Sequence, residues 1–269
     1  MNPMTRISVR TSWLLGATVF VLLTFVAVAV VVTGRGSPTS ASRLAVEDSG
    51  PRGAATPSAS NPGSLTSEQQ LELEQSIGRM RDVVPVDAAT SPQYPAVDAE
   101  ARQQPDLYAA AFVRQLLTQD YRTSRELLLA WVQSESAQST EPLVVGLTPV
   151  ELRNRMAVAS VQDGVNGPSP VPSQRDWENL ARRQGHTTVR VQRVTEPVSW
   201  ATAVANGQIT DAGATARQVD AEVTLQTTDH GKAVTERYSV ALVVNLEGPP
   251  ARDGYGFVAA ITYRVVKVR

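Results

Sequence analysis

Gln218-Val219-Asp220-Ala221-Glu222-Val223-Thr224-Leu225 is the stretch on which the fold turns. Every odd position is apolar and every even one polar. Successive side chains of a strand point to opposite faces, so strict alternation marks a half-buried strand; an amphipathic helix would show 3, 4 spacing instead. Working outward, Asp229-His230-Gly231-Lys232 makes a turn into Val234, Tyr238, Val240, Leu242 and Val244, again at even spacing. Glu247-Gly248-Pro249-Pro250 through Gly254 turns the chain once more. The last strand, Tyr255 to Val268, should bury Phe257, Ile261 and Val265 on one face. Upstream, Val189 and Val191 alternate with Arg190 and Gln192. Strands joined by short turns pair antiparallel.

Before residue 187 the period is helical. Asp106 reads as the cap of a helix to about Thr118, with Ala109, Phe112, Val113, Leu116 and Leu117 on its buried face. Thr123-x-x-Glu126 reads as a capping box opening a helix through Trp131 and Val132, with Leu127, Leu128 and Trp131 inward. Thr148-Pro149-Val150-Glu151 puts cap, proline and returning acid in order for a helix to about Val161. After a Pro/Gly loop from Gly164, Ser173 caps a short helix ending near Gln184, with Gly185 as its left-handed terminator. Helices followed by a curved antiparallel sheet make an α+β domain over residues 105–269. Ahead of it, Thr66-Ser67-Glu68-Gln69 forms a capping box for a helix to Val84 with a partial stripe of Leu71, Leu73, Ile77, Met80 and Val84. Pro85 stops that helix, and a Pro-rich connector completes the segment 65–104.

The N-terminal region carries a different signal. Trp13 to Thr33 reads WLLGATVFVLLTFVAVAVVVT, without a charge. At about 1.5 Å per residue this run crosses the roughly 30 Å hydrocarbon core as a helix. Arg6 and Arg10 precede it and no acid does, so the positive-inside rule keeps the tail 1–12 cytoplasmic and exports the rest. Trp13 is an interfacial anchor. A cleaved signal peptide would have a shorter apolar run and a small-residue cleavage site; this run ends in Thr33-Gly34-Arg35-Gly36. Residues 34–64, rich in Gly, Ser, Thr, Pro and Ala, read as a disordered linker. The expected location is the cell membrane, single-pass, with the C-terminal domain extracytoplasmic.

Composition narrows the chemistry. The 269-residue chain has a formal net charge of -1, which argues against an extended nucleic-acid surface. It has no cysteine, so disulfides, thiolate metal sites and a Cys nucleophile are excluded. His186 and His230 stand far apart and do not suggest a metal site. Neither a G-x-S-x-G elbow nor a phosphate-binding G-x-x-x-x-G-K-[ST] loop occurs. Asp220 and Glu222 fall on the outer sheet face, where solvated acids are expected. Arg190, Arg193, Arg264, Lys267 and Arg269 are candidates for a basic stripe that guards sheet edges or meets an acidic partner or peptidoglycan. No catalytic residue, metal or cofactor is expected.

The run from Ala109 through Leu127, AAAFVRQLLTQDYRTSREL, resembles a segment of actinobacterial conjugal-transfer membrane proteins. Those proteins resemble the inner-membrane assembly factor of type IV secretion systems, whose exported domain is a nuclear transport factor 2-like cone of helices on a sheet. The resemblance covers roughly residues 100–269, mostly as architecture. It implies a non-enzymatic scaffold that self-associates and contacts other secretion-channel proteins, with Asp120, Tyr121 and Arg122 at a structural joint between helices. The same layout implies two alternatives: an accessory subunit of a mycobacterial-type lipid importer, or a small-ligand-binding cone. For an enzyme of that cone, Tyr108, Tyr238 and Tyr263 are the candidates to consider.

Overall fold

The computed structural model describes residues 66–162 and 168–268. The tail, the apolar run with Arg6, Arg10 and Trp13, and the linker 34–64 lie outside the described residues. Among the described residues no helix is long and apolar enough to cross a membrane.

Seven α-helices and four strands follow one another among these residues. They are α1 (Ser67–Asp82), α2 (Pro105–Leu117), α3 (Arg125–Ser134), α4 (Pro142–Val145), α5 (Met156–Val161), α6 (Gln174–Arg182), β1 (His186–Thr195), α7 (Val198–Ala205), β2 (Ala214–Asp229), β3 (Lys232–Glu247) and β4 (Gly256–Val268). The strands form one open antiparallel sheet in the order β1-β2-β3-β4. This is the α+β class that the alternation and the helical stripes imply. The β2–β3 hairpin closes on Asp229 opposite Lys232, with His230 at φ 46° and Gly231 at φ 77°. Two left-handed residues make a turn whose twist matches that of the flanking strands.

The inner sheet face carries Val219, Val223, Val240, Leu242, Val244, Leu246 and Phe257 against α2, α3, α5 and α6. An aromatic column fills its centre. Phe112 stacks on Phe257 at 4.2 Å, on Trp131 at 5.1 Å and on Tyr108 at 6.0 Å between ring centroids. The Pro-rich connector packs into the same core: Tyr94 and Val97 are buried there, and the Trp131 indole donates to the Pro95 carbonyl at 2.9 Å. A smaller cluster covers one end of the opposite face, where Ala214, Ala216, Val258 and Ala259 meet Val144, Val145, Met156 and Trp200.

Several local expectations shift. Pro105, lacking an N–H, takes the first position of α2, so Gln104 precedes the helix and Asp106 lies within its first turn. Ser124, not Thr123, caps α3; the Thr123 hydroxyl instead donates to the Asp120 carbonyl at 2.6 Å. Pro149 stays extended at ψ 142°, so a 3-10 turn over Val150–Arg155 stands where a capped helix was expected. Ser173 does cap α6, but Gln184, at φ 53°, is the left-handed residue. Its N–H donates to the Ala181 carbonyl and that of Gly185 to the Leu180 carbonyl, which closes a Schellman motif. On β4, Phe257 is buried in the main core but Ile261 is not. Register shifts between Val243/Val244 and Asn245/Leu246 leave Val258 and Ile261 unpaired and turn them to the smaller cluster. Val265 returns to the inner face opposite Val240 and is 37% exposed.

Phe112 touches three other rings of the core, so Phe112→Ala should lower the unfolding free energy by about 3–5 kcal/mol in a denaturant titration. A loss below about 1 kcal/mol would mean that the column is not the centre of the core.

Candidate functional site

The joint between α2 and α3 is built from short-range bonds. Arg122 donates to Asp120 from Nε at 2.8 Å, from Nη2 at 2.6 Å and from its backbone N–H at 3.1 Å. The Arg122 hydrogen bond, first among the causes, holds the Asp120 carboxyl below the usual range. Arg122 is exposed, and such pairs contribute little stability. Tyr121 supplies the packing. Its ring meets Trp177 edge-on at 4.8 Å, and its N–H donates to the Gly185 carbonyl at 3.1 Å. Burial pushes its phenol up. These three residues thus join the α2–α3 turn to the turn between α6 and β1.

A second cluster was invisible in the sequence. The Glu135 side chain, at the end of α3, is 0% exposed. It accepts from Arg102 Nη2 at 2.7 Å, from the Tyr108 hydroxyl at 3.0 Å and from the Val97 N–H at 3.0 Å. Arg102 also lies over the Tyr108 ring, 5.6 Å from its centroid. Burial, and then the Glu135 charge, push the Tyr108 phenol well up. A buried carboxylate with three donors is what pairing and hydrogen bonding must provide to offset desolvation. Its donors lie 27 to 38 residues back, in the connector and α2, so no local motif announces it.

The other candidate tyrosines lie at the far end of the inner face. Tyr238 donates to Glu236 Oε2 at 2.6 Å, and Lys267 also bonds Glu236. Burial, with Glu236 beside it, moves the Tyr238 phenol up to about 12. Burial, and then Tyr238, also raise that of Tyr263. Tyr108 pairs with Glu135 near the start of β4, while Tyr238 lies opposite Lys267 near its end, so the three phenols do not converge on one centre.

Two further acids are buried beside the smaller cluster. Glu141 accepts from the N–H groups of Thr210 and Asp211, each at 2.9 Å. Glu247 is 2% exposed, and among the described residues neither carboxyl oxygen has a hydrogen-bond partner. Burial raises its pKa, against a lowering by Ser139, and Asp211 adds to the rise. Among the described residues no group of three or more His, Asp or Glu side chains is placed to hold a metal ion.

The outer face offers the open surface. A groove of about 530 Å³ runs along it, lined by Gln192, Asp220, Glu222, Ser239, Ala241 and Val268. The basic stripe is split: Arg190 and Arg193 lie on β1 and Arg264 and Lys267 on β4, at opposite edges of the sheet. Arg193 is taken by Asp220 at 2.6 Å and Lys267 by Glu236. Arg269 lies outside the described residues. His230 is exposed in the hairpin turn, and His186 opens β1. No family model, curated protein or solved structure matches this chain.

Glu247 holds its proton more tightly folded than unfolded. Its contribution is therefore fully present below the unfolded glutamate range and is lost as pH rises through the raised folded value. Thermal melts of the wild type should fall with pH above about 4.3 relative to Glu247→Gln, with the difference levelling off at high pH. A pH-independent difference would show that Glu247 titrates as a solvated side chain.

Proposed function

We propose that this chain is a non-enzymatic, membrane-anchored scaffold component of a conjugative or type IV-like secretion apparatus, acting through protein contacts of its exported domain. The finer fold reading belongs with it: helices over an aromatic-filled inner sheet face fit a nuclear transport factor 2-like cone. The uncharged run Trp13 to Thr33 with Arg6 and Arg10 ahead of it supports the anchor, and the linker 34–64 gives the domain reach.

One observation carries the reading. Arg102, Glu135 and Tyr108, the polar groups buried beside the aromatic column, bond one another, while the column itself occupies the space between helices and sheet. Among the described residues, the sheet leaves two surfaces open to other molecules: the outer groove and the C-terminal half of β4. A fold of this kind serves many purposes, so the reading rests on those surfaces and not on architecture alone.

Two measurements test it. Protease added to intact cells should cleave the region 66–269, and affinity purification from detergent-solubilised membranes should recover a secretion ATPase or channel subunits. A protected domain, or recovery of lipid-importer subunits in their place, would contradict the assignment.

A further inference from the structure

The edge of β4 is used unevenly. At its start, the Phe257 N–H donates to the Glu135 carbonyl at 2.9 Å, and the Ala137 N–H donates to the Phe257 carbonyl at 2.7 Å. The Ala260 N–H donates to the Ser160 hydroxyl at 2.9 Å. From Ile261 to Val268 no described residue bonds the edge side of the backbone. Val266 is 65% exposed and Val268 47%. Beyond the irregularity at Ile261, residues 262–268 pair regularly with β3 and leave their other side unpaired, a template for another strand. The other edge differs: β1 carries a bulge between Val191 and Arg193, which breaks regular pairing.

Charge selects the occupant. The segment from Ile261 to Val268 holds Arg264 and Lys267 and no acid. Arg237, opposite Val268 on β3, shares the outer face with Arg264 and Val266. Arg264 and Arg237 have no carboxylate within ion-pair distance among the described residues, whereas Lys267 is held by Glu236. A second copy of this chain laid along the same edge would add cations to cations, which cross-strand pairing disfavours. An extended segment alternating acidic and apolar residues would place its acids on the outer face by Arg264 and Arg237 and its apolar side chains on the inner face by Tyr263 and Val265.

We propose that the open half of β4 accepts an acidic, extended segment of a partner protein as a fifth strand. This rests on the scaffold reading and gives it a contact surface. Main-chain bonds would supply affinity, and the two arginines the selection.

The test uses the full-length protein in lipid nanodiscs with two soluble octapeptides, alternating Glu/Val and alternating Lys/Val. The Glu/Val peptide should slow amide exchange across residues 261–268 and bind at least about ten-fold more tightly than Lys/Val. Arg264→Glu, an exposed change that spares the Lys267–Glu236 pair, should weaken the Glu/Val peptide about five-fold and narrow the preference. Equal binding of the two peptides, unchanged β4 exchange at saturation, or an unaltered Arg264→Glu variant would overturn the proposal. Should channel proteins still co-purify while β4 exchange stays unchanged, this contact falls and the scaffold reading stands. Failure of co-purification with β4 protected by the peptide would remove the scaffold reading and keep the contact.

Discussion

A buried ion pair between Arg102 and Glu135 fixes how this domain is put together. Glu135 ends α3, yet its carboxylate takes bonds from the connector through Val97 and Arg102 and from α2 through Tyr108. The backbone on either side is committed as well. The Glu135 carbonyl accepts the Phe257 N–H of β4, and the Arg102 carbonyl accepts the Tyr255 N–H at 2.7 Å. Connector, two helices and the last strand therefore meet at one charge. An isolated carboxylate at that depth would cost several kcal/mol, so the position is tenable only while its donors stay in place. The aromatic column lies against this cluster through Tyr108 and Phe112.

Anchorage at one end makes the sheet uneven. Its inner face is covered where β4 begins, and coverage thins toward the other end, where Val265 emerges. The two irregularities of β4 let one strand serve both clusters, with Phe257 and Ala260 facing inward and Val258 and Ile261 facing out. Covered at one end and open at the other, β4 gives the domain both a fixed core and an unpaired edge.

The parts legible in the sequence are those set by local periodicity. Alternation at 218–225 located β2 and its neighbours, and the Asp229–Lys232 turn located the hairpin. The Thr66 capping box forms as expected, with both reciprocal bonds present. Local rules fall short where two signals compete: Pro105 against Asp106, Ser124 against Thr123, Gln184 against Gly185. The helix α7, Val-Ser-Trp-Ala-Thr-Ala-Val-Ala, has no charged face and so shows no stripe, although Trp200 and Ala203 bury. The Glu135 cluster escaped for a different reason. Arg102 is 33 residues away in a stretch that reads as linker, and only the tertiary fold makes the pair meet.

The dependence of the fold on this pair is most directly measured by a double-mutant cycle in chemical denaturation. Arg102→Met and Glu135→Gln should each cost about 3–5 kcal/mol, with the double variant losing markedly less than their sum, because the second change removes a group already stranded by the first. Additive losses, or single losses within about 0.5 kcal/mol, would contradict the account.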